Sequence, residues 1–276
     1  MREINLKIEQ LKDYFNLKDE TLIVFLFGSY AQARETESSD FDVAVYLREE
    51  SLNSAEEIID DIRFKVTQII GREIDLVCLN DAPAILVSNI IKTGLPLAVK
   101  DKRLYWELYL RKSIEAEDFL HFLEEFRSIK NRATSLSPEE KERLMLRMDY
   151  LDDELKEKDR FQRLTWQEYK QDKDKRRLLE RWAENILNAT IDIAKIVLAS
   201  EKKRMPRSYE EALQDFSLLA GLSEEEARRF AKFAGLRNIL AHEYLESIYT
   251  RIQTLIKEFL PCYEKIHTFL EKYLKP

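Results

Sequence analysis

The sequence predicts an α+β chain in two parts, a first domain built on a small mixed sheet and a second that is an all-α antiparallel helical bundle. Three observations carry this. Only 5 Gly and 6 Pro occur among 276 residues, of which 45% are hydrophobic and 35% charged, a composition that argues against a turn-dense all-β fold and for long helices. Strand-like and helix-like patterns alternate up to about residue 100, as in a sheet covered by helices. From about residue 103 onward only helical spacing remains.

Ile4, Ile8, Leu11 and Phe15 form the stripe of an amphipathic helix. TLIVFLF, a branched and aromatic run that stops at Gly28-Ser29, reads as a buried strand. In DFDVAVYL the residues Phe41, Val43, Val45 and Leu47 fall on one face and Asp40, Asp42, Ala44 and Tyr46 on the other, which makes a second strand. Residues 54–69 predict a helix, REIDLVCL a third strand, APAILVSNIIKTG a short helix ended by Gly94, and PLAVK a small edge strand.

The second half is punctuated by capping boxes, in which a hydroxyl accepts from a backbone N–H and a carboxylate three residues on reaches back to the cap. They are Ser137/Glu140, Thr165/Glu168, Ser208/Glu211 and Ser223/Glu226, the first with Pro138 at the favoured first helical position. Leu144, Met148, Leu151 and Leu155 make one apolar stripe, and Leu179, Trp182, Ile186, Ile193 and Val197 most of another. The polar stretch from Lys130 to Ser137 is the expected join, giving domains 1–132 and 137–276.

Net charge is −7, and all of the excess acidity lies in the first half: residues 1–136 carry 18 Lys/Arg against 25 Asp/Glu, and the remainder 27 against 27. That balance disfavours indiscriminate nucleic-acid binding, while the neutral second half, with Lys202, Lys203, Arg204 and Arg207 close together, leaves room for an RNA partner. Cys78, Cys262, His121, His242 and His267 are scattered and outline no zinc or disulfide framework. The longest apolar run, Leu22 to Phe27, is far short of the ~20 residues that span a bilayer. With no signal-like N-terminus, the expectation is a cytoplasmic protein without a membrane partner.

The chemistry-bearing stretch is GSYAQARETESSDFDVAV, where a strand delivers Gly28-Ser29 at a turn and the next strand opens with Asp40-x-Asp42. Both carboxylates share a face by strand periodicity, and the third strand adds Asp75 between Ile74 and Leu76. Carboxylates on adjacent strand ends suit Mg²⁺, Gly28 allows close backbone approach, and Ser29 offers a hydroxyl and N–H groups to a phosphate. The pattern resembles the minimal nucleotidyltransferases of the polymerase-β superfamily, over roughly residues 1–130. The resemblance implies that Gly28 and Ser29 bind the triphosphate of ATP or another nucleoside triphosphate. It also implies that Asp40 and Asp42 hold Mg²⁺, and that Asp75 is the third carboxylate, helping to activate the acceptor hydroxyl. The usual G-S-x-A-R-G is altered here: Gln32 and Ala33 stand in it and the arginine comes only at Arg34.

A second constellation, Arg237-x4-His242-x-Tyr244, lies in GLRNILAHEYLES. On an ideal helix Arg237 and Tyr244 nearly coincide, whereas Arg237 and His242 are about 140° apart, so a shared site needs a bent helix start, a long arginine reach or a second copy of the chain; a two-fold homodimer through the helical domain would bring the motifs together. The stretch resembles the HEPN family, over about residues 137–276, and looks like the HepT-like toxin of bacterial toxin–antitoxin pairs whose antitoxin is an MntA-like minimal nucleotidyltransferase. The resemblance implies metal-independent RNA cleavage by Arg237 and His242, silenced by transfer of AMP to Tyr244. This chain carries both partners end to end. Two other readings remain: a small-molecule nucleotidyltransferase of the aminoglycoside-modifying type, and a catalytically degenerate nucleotide-binding dimerisation module.

Overall fold

The computed structural model describes residues 2–31, 41–132, 136–239 and 245–275. The chain divides into two compact units, Met1–Asp118 and Phe119–Pro276.

The first unit runs α1 (Arg2–Leu17), β1 (Thr21–Phe27), α2 (Gly28–Ala31), β2 (Phe41–Leu47), a 3₁₀ turn (Glu49–Ser54), α3 (Ala55–Ile70), β3 (Ile74–Cys78), α4 (Ala84–Thr93), β4 (Leu95–Val99) and the first turns of α5 (Lys102–Lys130). The sheet order is β3-β2-β1-β4. β1 is antiparallel to both of its neighbours and β2 is parallel to β3, with α3 as the crossover. The sheet is therefore mixed, with PLAVK at its edge as the sequence predicts.

Side chains alternate across the sheet, and each face has its own core. Val24, Leu26, Val43 and Val45 pack with Leu11 and Phe15 of α1 and with Ile62 and Val66 of α3. Ile23, Phe25 and Ala44 pack with Val87 and Ile90 of α4 and Leu108 of α5. β1 is covered on both faces, which is why its sequence is an unbroken apolar run rather than an alternating one. Beyond β3, the Asn80 side chain accepts from the Leu47 N–H (2.8 Å) and donates to the Leu47 carbonyl (3.0 Å), satisfying the backbone where β2 ends.

The second unit takes the last turns of α5, then α6 (Pro138–Lys156), α7 (Lys158–Gln162), α8 (Trp166–Gln171), α9 (Lys173–Ser200), α10 (Tyr209–Leu219), α11 (Glu224–Ala231), α12 (Ala234–Ile239) and α13 (Leu245–Leu274). The predicted α9 stripe is buried throughout, but burial goes further: from Ala189 to Ser200 every residue except Asp192 is buried. A helix enclosed on all sides is a core element, where a surface helix would show one stripe.

Three of the predicted capping boxes close completely, at Ser137, Thr165 and Ser223. The fourth closes by half. Ser208 accepts from the Glu211 N–H (3.1 Å), but the Glu211 carboxylate accepts from the Arg207 N–H and pairs with Arg204 instead of reaching back to the cap.

The division between the units falls inside α5, earlier than the polar join expected at 130–137, of which residues 133–135 lie outside the described residues. The reason is packing. Phe119, Phe122, Phe126 and Ile129 are buried, and Phe119 and Phe122 meet the ring of Tyr209 in α10. These turns belong to the second core, whereas polar composition marks only where the helix ends. Among the described residues no helix is long and apolar enough to cross a membrane.

Candidate functional site

β1 ends at Phe27 and the chain turns at Gly28, whose φ of 71° lies in the left-handed region that suits glycine. In the ladders Phe27 is the partner of Asp42, and Asp42 the partner of Asp75. In-register neighbours point to the same side of a sheet, so the two carboxylates stand next to each other on adjacent strands, about 4.8 Å apart at the backbone. Both follow the first residue of their strands, β2 and β3, at the edge of the sheet where β1 finishes. Asp42 is half-buried and Asp75 exposed.

A Cβ built on Gly28 would lie 2.0 Å from the Oδ2 of Asp42. The carboxylate is thus turned over the glycine backbone, and a side chain at this position would have to displace it.

Two residues that the sequence did not single out pin this corner. The Tyr30 ring in α2 packs on Phe41 at the start of β2, with 5.1 Å between centroids. Arg72, in the turn before β3, donates to the Tyr30 hydroxyl at 2.9 Å and sits 5.9 Å from its ring centre. Together they tie the Gly28–Ala31 turn to the strand that carries Asp42 and to the turn that precedes Asp75. Only an arginine close before a strand aspartate hints at this in the sequence.

Asp40, Gln32 and Arg34 lie outside the described residues. Among the described residues no group of three His, Cys, Asp or Glu forms a metal cluster. Asp42 and Asp75 are nevertheless a fitting pair for Mg²⁺: all-oxygen donors, in register, on one face.

Of the second constellation, Arg237 is described and His242 and Tyr244 are not. Arg237 lies in α12 beside Leu236, which is buried. Its guanidinium carbon stands 4.8 Å from the centre of the Tyr209 ring.

The fold is an α+β domain with two carboxylates at adjacent strand ends, followed by a helical bundle. Residues 9–103 match the family model "Polymerase beta, Nucleotidyltransferase", and residues 151–270 match "Ribonuclease HepT-like". The chain is a fusion of a polymerase-β-type nucleotidyltransferase domain with a HepT-like domain.

A curated relative from Methanocaldococcus jannaschii, named "Putative protein adenylyltransferase MJ1379", is 36% identical over 67 residues, which are 24% of this chain. The chain spans 62% of that relative's length. Similar solved structures include a toxin–antitoxin with AMP-PNP, 23% identical with a TM-score of 0.34 over 43% of this chain and 92% of that one. A second is a tri-AMPylated Shewanella oneidensis HEPN toxin in complex with its MNT antitoxin, 20% identical with a TM-score of 0.32 over 44% of this chain and 94% of that one.

Proposed function

We propose that the first domain transfers AMP from ATP to Tyr244 of the HepT-like domain, and that this neutralises a metal-independent ribonuclease site formed by Arg237 and His242. One observation carries the transferase reading furthest: Asp42 lies over the Gly28 backbone and in register with Asp75, so phosphate-binding turn and carboxylates share one corner. The name of the Methanocaldococcus relative, which refers to protein adenylyl transfer, supports the same reaction.

In this reading Ser29 and the backbone of α2 bind the triphosphate, while Asp42 and Asp75, with Asp40, hold Mg²⁺. When bound, the cation offsets charge on the phosphate oxygens. Asp75, exposed beside Asp42, takes the proton of the Tyr244 phenol, and the phenol oxygen bonds to the α-phosphorus of ATP as pyrophosphate leaves.

In the helical domain His242 takes the proton of a ribose 2′-hydroxyl, whose oxygen bonds to the adjoining phosphorus as the 5′-oxygen of the next nucleotide leaves and is protonated, giving a 2′,3′-cyclic phosphate, and Arg237 balances the charge that develops there. A tyrosine-linked AMP adds a phosphodiester with about one negative charge two residues from His242, where it competes with RNA for Arg237. Two copies paired through the helical domain bring two such motifs to one cleft.

The test is the intact mass of the purified chain before and after incubation with Mg²⁺ and ATP, followed by peptide mapping. The expected result is a gain of one AMP or its multiples on the peptide containing Tyr244. No adduct, or an adduct confined to another residue, overturns the reading.

A further inference from the structure

The helical domain holds a pocket that neither catalytic reading uses. Its volume is about 290 Å³, and it lies among α7, the turn that follows, and the first turns of α8 and α9. Arg160, Arg163 and Lys175 bring three positive charges to its lining and Glu168 one negative charge, while Phe161, Leu164 and Leu178 give it an apolar side.

The frame of this pocket is fixed. Phe161 is buried against Trp182, with 4.9 Å between ring centroids. The Leu164 carbonyl accepts from the Tyr249 hydroxyl at 2.7 Å and the Phe161 carbonyl from the Gln253 amide at 3.4 Å, so α13 holds the backbone on both sides of the turn. Such a site needs little ordering when a ligand arrives.

Its positive charge is not cancelled from within. The Glu168 carboxylate is committed to the α8 cap and to Lys175: it accepts from the Thr165 N–H (3.0 Å) and hydroxyl (2.9 Å) and from the Lys175 ammonium (2.7 Å). Arg160 meets Glu157 at 3.0 Å through one guanidinium nitrogen, and a guanidinium has five N–H donors. Among the described residues Arg163 is exposed and has no ion-pair partner. The surroundings carry the same sign, with 8 Lys/Arg against 4 Asp/Glu from Lys158 to Arg177 in a chain of net charge −7.

An inorganic anion would meet the cations and leave the apolar side uncovered, where Leu178 is 49% exposed. A nucleotide has both parts: a phosphate for guanidinium and ammonium donors, and a flat base for apolar side chains. The volume falls at the lower end of small-ligand sites, roughly 300–1,000 Å³, which suits a single unit.

We propose that this pocket binds one nucleotide unit, with its phosphate at Arg160, Arg163 and Lys175 and its base against Leu164 and Leu178. A free nucleoside monophosphate and a nucleotide within an RNA strand share this chemistry. The proposal rests on the pocket and on neither catalytic reading.

The experiment is photo-crosslinking of the full chain with 8-azidoadenosine 5′-monophosphate, followed by peptide mapping. The competitors are AMP, adenosine, inorganic phosphate and a single-stranded 2′-O-methyl oligoribonucleotide, whose riboses lack the hydroxyl that cleavage needs. The expected result is an adduct between residues 158 and 178 that AMP displaces and that adenosine or phosphate at equal concentration does not. Arg163→Glu should lower this labelling about tenfold or more, the scale of one charge-assisted hydrogen bond, and leave labelling elsewhere unchanged. Displacement by the oligonucleotide at lower concentration than AMP identifies an RNA strand as the source of the unit; displacement by AMP alone identifies the free nucleotide.

No adduct between residues 158 and 178 overturns the proposal, as does labelling that survives Arg163→Glu. Adenosine or inorganic phosphate competing as well as AMP overturns it too, since the site would then read only a base or only an anion. The parent adduct requires no variant to fold. Any adduct in the first domain maps to other peptides and reports on the transferase site separately, so failure of one reading leaves the other intact.

Discussion

Gly28 and Asp42 share a space that holds only one side chain: a Cβ on the glycine would sit 2.0 Å from the aspartate Oδ2. The glycine φ of 71° compounds this, because a left-handed conformation costs an L-residue roughly 1–2 kcal/mol. Gly28→Ala should therefore act twice, lowering the melting temperature by a few degrees and driving the Asp42 carboxylate from its place. Adenylyl transfer should fall by more than tenfold, measured by radiolabel from ATP into the chain. Parent-level transfer by this variant would remove the corner from the transferase site.

Asp75 is exposed and Asp42 half-buried, so replacing either by asparagine removes charge and little packing. Asp42→Asn, Asp75→Asn and the pair Asp40→Asn with Asp42→Asn should each abolish Mg²⁺-dependent transfer while melting near the parent temperature. Calorimetric titration should show weaker ATP binding in Mg²⁺. Undiminished transfer by the double variant contradicts the metal assignment.

What the sequence makes legible follows from which forces are local. The period-2 face of Phe41, Val43, Val45 and Leu47 and the unbroken run of β1 are written in side-chain type, and three of four capping boxes close because a hydroxyl and a carboxylate three residues apart need no tertiary help. Register is another matter. That Asp42 faces Asp75 residue for residue depends on the α3 crossover, and that Gly28 lies under Asp42 depends on the β1–β2 pairing; neither appears in a pattern of 18 residues.

The contact between Tyr209 and Arg237 joins positions 28 apart on α10 and α12 and has no local signature. The fourth capping box fails for a similar reason, since Arg204 and the Arg207 N–H bind the carboxylate that the local rule assigns to the cap. Asp40, His242 and Tyr244, which spacing and family resemblance mark in the sequence, lie outside the described residues.

Acid should weaken the helical domain through two capping carboxylates. Glu226 accepts from the Lys265 ammonium (2.6 Å) and from the Ser223 N–H and hydroxyl, and these contacts, the lysine first, hold its carboxyl down at about 2. Glu168 is held at about 2 in the same way by Lys175 and Thr165. Each folded-state pKa is depressed below the unfolded value of about 4.3, so the stabilisation is complete above that value and is lost as pH falls towards 2. Glu226→Gln should melt below the parent at pH 7 and converge with it between pH 4 and pH 2. Because both carboxylates are partly exposed, 1 M NaCl should narrow the gap at pH 7. A gap that persists unchanged at pH 2 would assign the effect to packing rather than charge.

Tyr244 and His242 separate the two activities. An ordinary phenol has a pKa of about 10 and is a poor nucleophile at neutral pH, so transfer to Tyr244 needs a base, and the proposed one is Asp75, the exposed carboxylate in register with Asp42. Tyr244→Phe removes only the nucleophilic oxygen. It should lose the AMP mass increment and keep RNA cleavage, even after incubation with Mg²⁺ and ATP that silences the parent. His242→Ala leaves the phenol in place and should still accept AMP while losing cleavage by at least 100-fold, the scale of a general acid–base group. Arg237→Lys keeps a positive charge but gives up the planar donor fork, so cleavage should fall with transfer unaffected. Four proteins, each assayed for mass gain and for RNA cleavage with and without prior ATP, decide the coupling. If the parent gains AMP on Tyr244 and cleaves RNA as fast as before, the modification is not the silencing event and the two domains act independently.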